Sequence, residues 1–281
     1  KDLAVPGNEM LEDYVWTFTA VEEADCLEPV ALNAAAPFGS FGGSAGVTND
    51  GLLTIINGDI GSTGASTLIT GFVGDPECRY TITTSNEGLV NGRIYTDAPV
   101  PPNGVDCTGN GTAVTKAIAD QARSDANDAF IALSPAALPG GATQAENLGG
   151  LTLAPGIYTA APGSFLIEGG NLTLDGQGDQ NAVWVFQMAS TLTVGEAAVS
   201  RSVILTNGAQ AKNVFWQVGT AATINPAGGG TMVGTIIAES GVAISTTGNN
   251  TPILVVTLDG RALSLTSAVT ITNTIINVPA P

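Results

Sequence analysis

The sequence predicts a mainly β fold of stacked, repeating strands, a β-solenoid, and three observations predict it. First, Val183–Val194, Val214–Ile224, Thr235–Ile244 and Ala262–Ile271 share one grammar: a short apolar run, a corner of small residues, then an alternating strand. Repeated units that cannot bury their own apolar face are the mark of a stacked architecture. Second, a mean hydropathy of +0.27 with 12% charged residues suits strands buried in rungs better than a helical globule. Third, no segment approaches the roughly 18 consecutive apolar residues of a membrane span. The hydropathy therefore reflects short buried strands, and membrane insertion is not expected.

Aligning the four repeats sorts side chains by direction, because alternate strand residues point to opposite faces. Leu192, Ala222, Val242 and Val269 form one predicted inward column, and Val194, Ile224, Ile244 and Ile271 the next. Between and before them, Thr193, Thr223, Ala243 and Thr270, and Thr191, Ala221, Gly241 and Ala268, are predicted to face outward. That outer face is small, flat and uncharged, whereas exposed strands ordinarily carry charge.

Taken in order, residues 1–28 read as a separate amino-terminal strand and linker, and residues 29–281 as the solenoid domain. Tyr14, Trp16 and Phe18 lie on one side of a strand whose other side carries Val15, Thr17 and Thr19. Three aromatics on one face need a burial site. Eight carboxylates, from Asp2 to Glu28, crowd the first thirty residues, while residues 151–281 hold six. The solenoid is thus nearly neutral. The three cysteines are Cys26, Cys78 and Cys107. Cys78 and Cys107 bracket a loop rich in Pro, Gly and Asn, where a disulfide would stabilise most, with Cys26 as the alternative partner. Oxidised cysteines imply an extracellular or cell-surface location, and a start at Lys1 rather than Met fits a processed or excised chain.

Between Cys78 and Gly111, Pro99, Pro101 and Pro102 rule out a helix, and the stretch reads as a loop or cap. Residues 112–133 turn amphipathic, with Val114, Ile118, Ala122, Ala126, Ala129, Phe130 and Leu133 near helical spacing. Thr112 is the N-cap candidate, Ser134-Pro135 the stop, and the solenoid flank the available partner for the apolar stripe.

Blocks along residues 32–278 resemble the microbial ice-binding-protein-like family. They are Ala35-Ala-Pro-Phe38, Val47-Thr-Asn49, Gly58-Asp-Ile-Gly61, Ile69-Thr-Gly-Phe72, Leu148–Tyr158, Val183–Gln187 and Gly208–Gln217, in the family's order. The resemblance implies an irregular right-handed β-solenoid with one long α-helix packed along its side. It also implies that residues 32–72 stack against the later coils out of chain order. Separately, residues 1–20 resemble the closing strand of a bacterial immunoglobulin-like repeat domain, with the rest of such a domain absent.

Catalysis is not expected. There is no His to serve a nucleophilic triad, and the coil carboxylates Glu168, Asp175, Asp179, Glu196, Glu239 and Asp259 never fall as neighbours or alternate-position pairs for general acid–base work. Three dispersed cysteines argue against zinc. Asp175-Gly-Gln-Gly-Asp179 is a weak calcium candidate that a glycine-rich turn explains equally well. No cofactor or metal is expected. Net charge −17 with eight basic residues argues against nucleic acid.

Two binding readings stand. By resemblance, ice-active members of the family use a flat face with Thr-Ala/Gly-x-Thr/Asn patterns. Thr220–Thr223 fits, Ser267–Thr270 is one substitution away, Thr247–Asn250 fits in a less regular segment, and Ser240–Ala243 departs at both ends. The expected contact residues for ice or another flat surface are Thr193, Thr220, Thr223, Ser267 and Thr270. The other reading is a subunit of an extracellular filament or adhesin, joined to identical copies by donation of the Tyr14, Trp16, Phe18 strand.

Overall fold

A computed structural model describes residues 27–74, 77–102 and 107–280. Among the described residues the chain winds into coils whose strands stack in three sheets of fourteen, seven and three strands, parallel throughout except where Phe72–Gly74 meets Cys78–Tyr80. The seven-stranded sheet runs, in spatial order, Phe165–Ile167, Leu192–Val194, Ala221–Ile224, Gly241–Ile244, Val269–Ile271, Val47–Asn49 and Ile69–Thr70. The last two strands come from early in the chain, so the stacking is out of chain order. Without them the Val269–Ile271 rung would present unpaired backbone groups at a sheet edge. With them, the Val269 N–H donates to Gly46 O at 3.1 Å and the Asp50 N–H to Ile271 O at 2.8 Å.

The predicted inward columns are stacked as the repeat alignment requires. Leu192, Ala222, Val242 and Val269 lie in register, as do Val194, Ile224, Ile244 and Ile271. All eight are 0–3% exposed. On the broad sheet, Tyr158, Phe186 and Trp216 occupy one register position on successive rungs. Phe186 and Trp216 stack with centroids 4.0 Å apart, and the Trp216 indole N–H reaches Val233 O at 2.9 Å. The core is therefore a set of columns, each side chain packed on its equivalents above and below.

Corners make this repetition possible. After four successive flat strands the chain turns through a residue with positive φ, at Gly195, Asn225, Ser245 and Asn273. Asparagine tolerates this region and bonds locally. Asn225, fully buried, accepts from the Arg201 N–H and donates to Arg201 O, pinning one coil to the previous one.

Two polar devices hold the early segment in register. Asn91 donates its amide to Asn57 at 2.7 Å, Asn57 to Asn277 at 2.7 Å, and Asn277 to the Asp259 carboxylate at 2.8 Å, one side chain per rung. Arg261, 6% exposed, donates Nε to Ala36 O at 2.7 Å, Nη1 to Thr235 Oγ1 at 3.3 Å and Nη2 to Pro279 O at 3.4 Å. Burial pushes its pKa down to about 10, and the three acceptors satisfy a cation that would otherwise be costly inside.

The helix spans Ala113–Ala132 with Thr112 as N-cap, its hydroxyl accepting from the Thr115 N–H at 3.2 Å. Its buried stripe is Thr115, Ala119, Ala122, Ala126 and Ala129. This corrects the expected phase at the first two turns, where Val114 is 70% and Ile118 38% exposed. The Thr115 hydroxyl donates to Thr96 O at 2.7 Å, and at about 100° per residue the stripe through Ala122, Ala126 and Ala129 continues to Thr115 and Ala119 rather than to Val114 and Ile118. The helix alanines share one buried cluster with Val183 and with Val185, Phe215, Ile237 and Leu263 of the broad sheet. Gln187 clamps its end by donating to Leu133 O and Leu138 O, both at 2.9 Å. Among the described residues, no helix is long and apolar enough to cross a membrane.

The stretch expected to be an irregular cap holds three short strands, Cys78–Tyr80, Gly88–Val90 and Ile94–Asp97. Each is three or four residues long, too short for a periodic signal. Cys78 and Cys107 are joined by a disulfide. Cys26 lies outside the described residues.

Candidate surface-binding face

With the broad sheet covered along one side by the helix, the seven-stranded sheet offers a flat outer face. Its centre is a single register column: Leu166, Thr193, Thr223, Ala243, Thr270, Thr48 and Thr70, one residue per rung. Thr270 is exposed and the others are half-buried. Two residues earlier on each rung stand Ser164, Thr191, Ala221, Gly241, Ala268, Gly46 and Leu68. Neither column contains an Asp, Glu, Lys or Arg. Rungs repeat at about 4.8 Å and alternate residues along a strand at about 6.7 Å, so the face is a two-dimensional grid.

The face is stiff as well as flat. β-Branched threonine has restricted χ1 rotamers, and each side chain is braced by its in-register neighbour. Each hydroxyl can donate one hydrogen bond and accept two, while each methyl offers apolar surface. Charge is confined to the rims. Glu196 and Arg201 form a bidentate pair at 2.8 and 3.0 Å beside the Leu192–Val194 rung. The hydrogen bond from Arg201, and a second from the Gly169 N–H, hold the Glu196 carboxyl below the usual carboxylate range.

The structure brings three of the five expected contact residues, Thr193, Thr223 and Thr270, into the column. Thr220 and Ser267 sit at the corner between the two large sheets instead. The Thr220 hydroxyl is buried without a hydrogen-bond partner, and the Ser267 N–H donates to Ser264 Oγ at 3.2 Å. Thr247 lies off the face, bonded to Asp50 at 3.2 Å. Two column members, Thr48 and Thr70, were not singled out in the sequence. The signal was present, since Val47-Thr48-Asn49 and Ile69-Thr70 repeat the inward–outward alternation of Val269-Thr270-Ile271.

Asp175 and Asp179 serve their own turn. Asp175 accepts from the Gln177 N–H at 2.9 Å and from Asn207 at 2.8 Å, which lower its pKa, and Asp179 accepts from the Asn181 N–H at 2.8 Å. No group of three or more His, Cys, Asp or Glu positioned to hold a metal occurs among the described residues. Tyr14, Trp16 and Phe18, the expected assembly strand, lie outside those residues.

Comparison with known proteins places this face in context. Residues 41–277 match the family model described as ice-binding-like. An ice-binding protein from a Nostoc strain is 36% identical over 257 residues, covering 91% of this chain and 77% of that protein. Ice-binding protein 1 of Shewanella frigidimarina is 34% identical over 186 residues, 65% of this chain and 19% of that longer protein. Among solved structures, a domain of a Shewanella frigidimarina ice-binding protein superposes with a TM-score of 0.70 at 28% identity, covering 90% of this chain and 98% of that one. The ice-binding protein of the Antarctic ascomycete Antarctomyces psychrotrophicus gives a TM-score of 0.67 at 33% identity, over 90% of this chain and all of that one.

Proposed function

Because the chain belongs to the ice-binding-like family, we propose that it binds ice through the outer face of its seven-stranded sheet, with Thr193, Thr223, Thr270, Thr48 and Thr70 as the central contacts. The observation that carries this reading is the unbroken register of that uncharged column across seven rungs. Ice and liquid water are the same substance, so selectivity requires groups that the mobile liquid does not solvate better. Charged side chains fail that test, since liquid water reorients around them. Methyl groups order the water beside them, and releasing or freezing that layer costs little when it already sits on a matching grid. Hydroxyls at fixed positions then anchor the layer with ordinary hydrogen bonds.

The protein acts as a non-catalytic binder at or outside the cell surface. The Cys78–Cys107 disulfide supports that location, since such bonds persist in oxidising compartments. The strand-donation alternative is carried by residues outside the described ones, and the matched relatives favour ice binding over it.

The test is replacement of Thr223 or Thr270 by Tyr, whose ring would lift the flat face off a flat lattice. Thermal hysteresis and ice shaping are expected to vanish while the circular dichroism spectrum stays unchanged. The reading is overturned if both variants retain full activity, or if the unmodified protein neither shapes ice nor inhibits recrystallisation.

A further inference from the structure

The ice-facing grid has a gap at its central rung. On the Gly241–Ile244 rung the two outward positions are Gly241 and Ala243, between Ala221 and Thr223 on one side and Ala268 and Thr270 on the other. The backbone is not displaced there, because Val242 and Ile244 hold their inward register at 3% and 0% exposure. The depression is therefore made by missing side-chain atoms alone. It separates Thr223 from Thr270 by two rungs, about 9.6 Å, and divides the face into a Thr193–Thr223 patch and a Thr270–Thr48–Thr70 patch.

We propose that Ala243 limits the affinity of this face for ice, and that a threonine there would join the two patches into one continuous ladder. The inference rests on the face assignment made above. Ala243 is half-buried, points outward, and occupies the same strand position as Thr223 and Thr270, both threonine already. A β-branched residue suits that extended backbone. Gly241 is not the equivalent opportunity. Its φ of +143° disfavours any side chain, and an added Cβ would lie 3.1 Å from Ala268 O. One position on the rung can be filled, and it is Ala243.

The experiment compares wild type, Ala243→Thr and Ala243→Ser, each checked by circular dichroism. The readout is the concentration that half-inhibits ice recrystallisation. Burying one added methyl group corresponds to about a four-fold gain in binding constant, so the Ala243→Thr endpoint should fall by at least about that factor, while Ala243→Ser, which adds only the anchoring hydroxyl, should fall by less. An active wild type whose endpoint is unchanged or raised by both substitutions overturns the inference while leaving the face assignment standing. Should Ala243→Thr fail to fold, Ala243→Ser alone decides by the same criterion. An inert wild type overturns the face assignment and this inference with it.

Discussion

Replacing Ile224 by Ala probes the sorting of side chains on which the flat face depends. Ile224 is 0% exposed and lies in register between Val194 and Ile244. The substitution removes three carbons from the stacked column. At roughly 0.8 kcal/mol per buried methylene, the transfer loss alone is about 2.4 kcal/mol. A cavity penalty adds to this, because Val194 and Ile244 are held at rung spacing by backbone hydrogen bonds and cannot close the gap. The expected cost is about 2 to 5 kcal/mol. The neighbouring change Thr223→Ala removes an outward side chain and should cost under about 1 kcal/mol. Urea titration followed by far-ultraviolet circular dichroism measures both, with a lowered midpoint and unchanged slope as the signature of lost stability. A cost for Ile224→Ala no greater than that for Thr223→Ala would refute the assignment of inward and outward columns.

Three further outcomes follow from the disulfide and from the charge map. Reducing Cys78–Cys107, separated by 29 residues, should cost roughly 3 to 4 kcal/mol by loop entropy, seen as a lowered calorimetric midpoint that Cys78→Ser/Cys107→Ser reproduces. Thermal hysteresis should be flat from about pH 5 to about pH 9, since neither outward column holds a group titrating in that range; a marked slope would implicate the charged rims. Stability should carry a small acid dependence from Glu196, whose folded pKa is lowered by Arg201. Its contribution is present above the unfolded carboxylate pKa and lost as pH falls through the folded one, and Glu196→Gln should remove it from the midpoint-against-pH curve.

Spacing along the chain already sets which way each residue of the late coils points. Strand alternation has a period of two and needs no knowledge of the partner strand, so Leu192, Ala222, Val242 and Val269 could be set inward and Thr193, Thr223 and Thr270 outward from spacing alone. The helix was legible too, because twenty residues of periodic alanine carry a local signal, although Thr115 and Ala119, rather than Val114 and Ile118, continue its buried stripe. Tertiary structure decided the extent of the binding face. Thr48 and Thr70 join the column only because Val47–Asn49 pairs with Val269–Ile271, across more than two hundred residues. Such a pairing is selected by which sheet edge is left open and by distant anchors such as Asn57 on Asn277 and Arg261 on Ala36. Thr220 and Ser267 fall at the corner between the two large sheets, where the Thr220 hydroxyl is buried. Directions along a strand are local properties of the chain, whereas the order in which rungs stack is a property of the closed fold.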